Sequence, residues 1–303
     1  MTPARPTGLP GPRIPCEVEV AVSRPAELGE GPRWDAATAT LLWVDILGKA
    51  VHRLDPRDGR DVVTPVPDLV GFALPRAAGG VIVGLPDGVF ALGDNGRTEL
   101  LTALETDAPG NRLNDAACDP RGRLWAGTMA LDERSPTGAL YRVGADLAVT
   151  REFAGTTISN GLGWSPAGDA FYFIDTPTGR VDAFDFDPAA GSIARRRPLA
   201  VVDVPGAGPD GMTVDAEGSL WVALHGGWGL LRFSPDGRLL GHVDLPVAKV
   251  TSCCFGGPGL RDLYVTTRRQ SLSDAELSEQ PLAGALLRLD PGVAGLPTHA
   301  FGG

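Results

Sequence analysis

Histidine and cysteine are scarce in this sequence, four of each in 303 residues, and no histidine cluster occurs. There is no H-E-x-x-H and no C-x-x-C, which excludes a histidine-rich zinc site and the usual cysteine metal or redox motifs. G-x-S-x-G is also missing, so the nucleophile elbow of a serine hydrolase is absent. Cys118 falls in an apolar slot, and Cys253 and Cys254 point to opposite faces of one strand. No histidine is near in sequence to activate any of them, so all read as packing thiols. Positive charge is in short supply too: 27 Lys and Arg against 37 Asp and Glu give a net charge of −10, which argues against a nucleic-acid surface. Two short basic runs, Arg195–Arg197 and Arg268–Arg269, read as solvated loop charge. No stretch approaches the roughly 18 apolar residues of a membrane span. Residues 1–15 are rich in proline and lack the apolar segment of a secretory signal, so they read as a flexible tail ahead of the fold. These absences suggest a cytoplasmic protein with no membrane or nucleic-acid partner.

The sequence is rich in glycine and proline, 41 and 27, yet 43% of residues are hydrophobic and evenly spread, the mark of many turns around a real core. The turns recur with a period. The stretch Asp210-Gly-Met-Thr-Val-Asp-Ala-Glu-Gly-Ser-Leu-Trp-Val-Ala-Leu224 holds a polar residue, a glycine, an apolar strand, a tight turn and a second strand. Equivalent units start at Glu30, Val70, Asn114, Asn160, Asp210 and Thr251, with spacings of 40, 44, 46, 50 and 41 residues. Short strands repeating every 40–50 residues or so predict a β-propeller with one four-stranded blade per unit, hence an all-β, six-bladed propeller over residues 16–303. Glu17–Val22 alternates like a strand and is placed to close the last blade against the C-terminal strands. Trp43, Trp125 and Trp221 share one slot and read as blade packing.

Propeller geometry turns the repeat into a functional statement. The first strand of each blade lines the channel, so residues just ahead of those strands ring one mouth. Here the ring is Glu30, Val70, Asn114, Asn160, Asp210 and Thr251. Taken singly, an Asp or Asn before Gly makes a turn; taken together, four polar groups aimed at one axis make a cation or polar-ligand site. Arg112 adds a guanidinium fork beside Asn114. The polar loop Leu131–Gly138 is placed to wall a pocket, and His225 ends a strand near the mouth. Ser273-Asp-Ala-Glu276 reads as a helix capping box in an insertion of the sixth blade, with Pro281 as its stop.

Six words at or beside these positions resemble the SMP-30/gluconolactonase family: Leu28-Gly-Glu-Gly-Pro32, Asn111-Arg-Leu-Asn-Asp115, Trp125-Ala-Gly-Thr-Met129, Ile158-Ser-Asn-Gly-Leu162, Pro209-Asp-Gly-Met212 and Thr251-Ser-Cys-Cys-Phe-Gly-Gly257. They occur in order, and the resemblance covers about residues 17–303. It implies one divalent metal on the propeller axis, held by Glu30, Asn160 and Asp210. Asp210 is also implied as the catalytic acid and base, with Arg112 and Asn114 binding substrate. The family places a further substrate-binding Glu a few residues after Gly-Thr-Met; here Asp132 aligns with it and Glu133 is its rival.

Two carboxylates and an amide oxygen form a hard donor set that suits Ca²⁺, Mg²⁺ or Mn²⁺ and can hold Zn²⁺ or Fe²⁺. The implied chemistry is hydrolysis of a sugar lactone, such as gluconolactone, to the aldonic acid. The cation would polarise the carbonyl and Asp210 would deprotonate the attacking water. Two other classes share the motif: a non-catalytic calcium-binding propeller, and a metal-dependent hydrolase of another ester. A WD-type interaction propeller has no reason to set carboxylates on its axis, and its Gly-His and Trp-Asp signature is absent.

Overall fold

The computed structural model describes residues 8–303. Within them, six antiparallel sheets of four strands each follow one another along the chain. Blade 1 shows the pattern: Gly29–Asp35 is innermost, followed outward by Thr40–Asp45, Ala50–Asp55 and Arg60–Pro65. The innermost strands of blades 2 to 6 are Phe72–Pro75, Asn111–Cys118, Ser159–Trp164, Gly208–Val214 and Val250–Gly256. Each touches the innermost strand of the next blade, and the last returns to the first, so the ring is closed and the fold is an all-β, six-bladed propeller.

Burial falls from the axis outward. Gly29–Asp35 is buried at every position, whereas Arg60–Pro65 alternates between exposed and half-buried. The apolar residues between neighbouring sheets form the core; Trp43, Trp125 and Trp221 are completely buried there. Trp125 and Trp221 donate their indole N–H to Asp119 (3.1 Å) and Asp215 (2.9 Å), so a buried polar atom of each large ring is satisfied within the blade. Cys253 and Cys254 join different core clusters, as opposite faces of one strand require.

The sixth blade takes its outermost strand from the other chain end. Glu19–Val22 pairs with Leu286–Leu289, Glu19 opposite Arg288 and Val20 opposite Leu287, as the alternation in Glu17–Val22 leads one to expect. The expected tail over residues 1–15 needs correcting. Residues 1–7 lie outside the described residues, but Leu9 is buried and the segment after it runs along the fifth blade. The Ile14 N–H donates to the His242 carbonyl at 2.7 Å, and the His242 N–H donates to Pro12 at 3.0 Å. Prolines lack a donor but keep an acceptor and an extended φ, so a proline-rich segment can pair one-sidedly with an edge strand.

The insertion of the sixth blade folds as the capping box directs. Ser273 and Glu276 cap each other reciprocally and start the helix Asp274–Glu279, and Pro281 follows its last turn. Gln280 then ties the insertion down, its Oε1 accepting the Ala248 N–H at 2.7 Å. Among the described residues no helix is long and apolar enough to cross a membrane.

Candidate active site

Five of the six innermost strands break register at the same place. The irregularities fall between Glu30 and Arg33, Leu113 and Ala116, Asn160 and Leu162, Pro209 and Met212, and Val250 and Ser252. The sequence pattern puts the ring residues just ahead of these strands. All but Val70 instead lie within longer strands, at the irregularity. A bulge leaves one residue unpaired and re-aims its side chain, which is how a channel-lining strand can turn a carboxylate toward the mouth. The glycine that follows permits the tight seam between blades. A Cβ on Gly161 would lie 3.0 Å from the Asp210 carbonyl oxygen and 2.7 Å from Met212 Cγ. Only glycine lets the strands bearing Asn160 and Asp210 approach this closely.

Leu28, Glu30, Ile46, Arg112, Asn114, Met129, Glu133, Ile158, Asn160, Thr176, Asp210, His225 and Arg268 line one cavity of about 130 Å³ at this mouth. That volume is below the range usual for drug-sized ligands. Its polar side chains are chained together. Arg112 Nη1 donates to Asn114 Oδ1 at 2.6 Å. Asn114 Nδ2 donates to Asn160 Oδ1 at 2.9 Å and to the Ser159 carbonyl at 2.7 Å. Asn160 Nδ2 donates to Thr176 Oγ1 at 2.8 Å, and that hydroxyl donates to the Pro209 carbonyl at 2.8 Å, just ahead of Asp210. The network fixes both amides, each oxygen accepting from the preceding side chain and each nitrogen donating onward.

Two aspartates not singled out by the repeat hold the approaches to the ring. Asp45 accepts the N–H groups of Glu27 and Leu28, both at 3.0 Å, and so fixes the chain entering Glu30. Asp175 does the same for Thr157 and Ile158, ahead of Asn160. Both sit at the ends of second strands, in the same place in their blades, so aligning the second strands in register would have revealed them.

The electrostatics leave two buried carboxyls short of compensating charge. Glu30 is 7% exposed; burial, with Asp115 close by, raises its carboxyl to about 8. Burial, then Glu30 and Asp115, raise Asp210 well above the ordinary carboxylate range. Asp210 Oδ1 is buried with no hydrogen-bond partner. A buried acceptor left unpaired costs free energy unless a ligand satisfies it. Among the described residues no three His, Cys, Asp or Glu side chains converge, so any metal here must also draw on an amide oxygen, and Asn160 supplies one on the same cavity wall. Glu30, Asp210 and Asn160 therefore fit a hard divalent cation.

Not every expected residue reaches the cavity. Asp132 is exposed and caps its own loop, accepting the N–H groups of Arg134 and Ser135 at 2.8 Å each. These bonds, with the Ser135 hydroxyl foremost, hold its carboxyl down at about 2. Glu133 lines the cavity instead, with a left-handed backbone, φ 57°. That conformation is costly for a glutamate and turns the side chain inward from a loop that the repeat does not govern. Arg268, one of the two arginines read as solvated loop charge, also lines the cavity, whereas Arg269 pairs outward with Glu27 at 3.8 Å. His225 does reach the mouth; burial, then Arg268 and Lys249, lower it to about 4, so it is neutral near pH 7. Val70 and Thr251 are absent from the lining, and the Thr251 hydroxyl is spent on the Gly29 carbonyl at 2.6 Å.

A buried ion pair between blades 1 and 3 lies beneath the ring, Arg33 Nη2 to Asp115 Oδ1 at 2.9 Å. Arg33 lines a second, larger cavity of about 290 Å³ at the far ends of the innermost strands. The two cavities share no lining residue, and no carboxylate lines the larger one. Size therefore does not mark the chemistry; the smaller cavity holds the convergent polar groups. Cys118 and Cys254 border the larger cavity, and burial raises both thiols, Cys254 to about 12, which makes them inert.

The comparisons with known proteins agree with this fold. Residues 28–269 match the family model described as SMP-30/Gluconolactonase/LRE-like region. Regucalcin of Xenopus laevis is 36% identical over 295 residues, covering 95% of this chain and 99% of that protein. A solved structure described as a calcium-binding protein, regucalcin, from Agrobacterium tumefaciens superposes with a TM-score of 0.92 at 30% identity, covering 96% of this chain and 99% of the other. A gluconolactonase of Xanthomonas campestris shares the fold with a TM-score of 0.75 at 24% identity, over 95% of this chain and 97% of its own. The chain belongs to the SMP-30/gluconolactonase/LRE-like family.

Proposed function

We propose that this protein hydrolyses a sugar lactone to its aldonic acid in the cavity at the bulged mouth, with one divalent cation held by Glu30, Asn160 and Asp210. One observation carries the reading: the buried Asp210 carboxylate keeps an oxygen without a hydrogen-bond partner, in a cavity it shares with Glu30, Asn160, Arg112 and Asn114. A bound cation supplies positive charge where the lactone carbonyl oxygen becomes negative. With the cation bound, Asp210 would be the carboxylate that takes the proton of the attacking water and returns it to the departing ring oxygen. Arg112 Nη1 donates to the Leu113 carbonyl and to Asn114 Oδ1, and the donors on Nη2 and Nε are available to sugar hydroxyls. Glu133, which lines the same cavity, offers an acceptor for a hydroxyl. Leu28, Ile46, Met129 and Ile158 form the apolar side, where excluding water strengthens each polar contact.

The competing reading is a cation site without turnover. It draws support from relatives that carry the name regucalcin, one of them described as a calcium-binding protein. The test is lactone hydrolysis followed by pH indicator, with metal-stripped protein titrated with Ca²⁺, Mg²⁺, Mn²⁺, Zn²⁺ or Fe²⁺ over a panel of aldonolactones. Saturable, metal-dependent turnover that Asp210→Asn abolishes supports the lactonase. Near-wild-type turnover in that variant refutes the role given to Asp210. Thermal stabilisation by metal, with no turnover of any lactone, favours the binding protein.

A further inference from the structure

Arg268 has no role in the reaction just described, yet it is built into the cavity. It follows directly on the strand Asp262–Thr267 of blade 6, and its backbone is pinned on both sides. Its N–H donates to the Lys249 carbonyl at 3.0 Å, and it bridges Leu28, two residues before Glu30. Its side chain lines the same cavity as Arg112 and Asp210. One terminal nitrogen, Nη2, donates to Gln270 Oε1, while Nε is buried and has no partner. No carboxylate of a described residue lies within ion-pair distance of Arg268. Arg33, Arg123 and Arg232 are paired with Asp115, Asp119 and Asp215, whereas Arg112, in the same cavity, bonds only the Leu113 carbonyl and Asn114. A guanidinium with an unused buried donor beside a ligand cavity is an open half of an ion pair.

Arg112 lines the same cavity and, like Arg268, has no ion-pair partner among the described residues, so two guanidinium groups stand open to an anionic ligand there. We infer that the natural substrate is a lactone carrying an anionic group besides its reacting carbonyl, and that Arg268 is the residue that selects it. The group is a carboxylate, as in an aldaric acid lactone, or a phosphate. The inference rests on the lactone reading for its chemistry, but the recognition of the anion stands or falls on its own measurement.

That measurement is calorimetric binding of three products, gluconate, glucarate and 6-phosphogluconate, to the metal-loaded protein and to its Arg268→Gln and Arg268→Lys variants. Turnover of the matching three lactones is measured in parallel. A charge-assisted fork is worth about tenfold to a hundredfold in affinity. One or both acidic products should bind tighter than gluconate by that factor. Arg268→Gln should erase the difference and Arg268→Lys should restore part of it. In turnover the ratio of kcat/KM for the acidic over the neutral lactone should fall by the same factor, carried by KM. Preference for glucarate identifies the carboxylate, and preference for 6-phosphogluconate the phosphate. Equal binding of all three by the wild-type protein overturns the inference, as does an equal loss for all three in Arg268→Gln. If no lactone is turned over but glucarate binding depends on Arg268, hydrolysis falls as the function and anion recognition remains.

Discussion

Replacing Gly211 by alanine tests whether the closeness of the blades sets the catalytic geometry. An added Cβ would stand 2.1 Å from Ser252 Oγ, 2.5 Å from Ser252 Cβ and 2.7 Å from Ser252 Cα. Turning the hydroxyl aside relieves only the first of these contacts. The backbone contact remains, and Ser252 is completely buried in an innermost strand, in register with Thr266. The seam between blades 5 and 6 must therefore open, at a cost of about 1–3 kcal/mol for an overpacked core. At about 2–4 °C per kcal/mol this lowers Tm by about 2–12 °C. Asp210 is the preceding residue, and a displacement of about 1 Å in a reacting group costs on the order of a hundredfold in rate. Lactone turnover should thus fall far more than stability alone explains. Scanning calorimetry and steady-state kinetics on Gly211→Ala, Ser252→Gly and the double variant give the coupling directly. The double variant removes the two shortest contacts, so the stability cycle should show at least about 0.5 kcal/mol of favourable interaction. A Gly211→Ala protein that melts within about 1 °C of wild type refutes the reasoning.

Two further outcomes follow from the polar groups. With Glu30 raised to about 8, the folded, metal-free protein holds a proton there that the unfolded chain releases near the ordinary 4.5. The stability tied to that proton is complete below about 4.5 and is lost as pH rises toward 8. The gap in Tm between Glu30→Gln and wild type, both metal-free, should therefore widen in favour of the variant from pH 5 to pH 8; a constant gap contradicts the assignment. Asp175→Ala removes the acceptor for the Thr157 and Ile158 N–H groups, at 3.2 and 2.8 Å. It should cost about 1–3 kcal/mol in chemical denaturation and weaken cation affinity through Asn160. Unchanged affinity would show that Asn160 is positioned without it.

The repeat made the architecture and the ring legible because one supersecondary unit, copied six times, places equivalent residues at equivalent heights on one axis. Spacing alone thus brings Glu30, Asn114, Asn160 and Asp210 to one cavity, although 180 positions separate the first from the last. The bulges were not legible. The glycines after Glu30, Asn160 and Asp210 are the trace of three of them, but glycine serves a turn, a bulge or a close approach equally well, and Asn114 and Thr251 have none. Residues 8–15 were misread as part of a tail because a proline-rich segment looks unstructured until an edge strand is present to accept it.

The residues that sequence reasoning placed wrongly or left out share a location. Glu133 lies in the loop after the second strand of blade 3, and Arg268 opens the insertion of blade 6, both outside the copied unit. Asp132 and Glu133 are adjacent carboxylates, and only the left-handed backbone at Glu133 decides that the second faces the cavity while the first caps the loop. Arg268 and Arg269 are adjacent arginines, and strand pairing to Leu28 sends one inward while the other meets Glu27 at the surface. Period fixes what every blade must supply, so it exposes the donors that a cation on the axis needs. A ligand's distinguishing groups lie off that axis and are met by segments that only one blade possesses. Substitutions at Glu30, Asn160 or Asp210 should therefore impair every lactone alike, whereas substitutions at Glu133 or Arg268 should redistribute preference among lactones. A panel of substrates measured on both groups of variants separates the two classes, and a uniform loss in the second group would break the division.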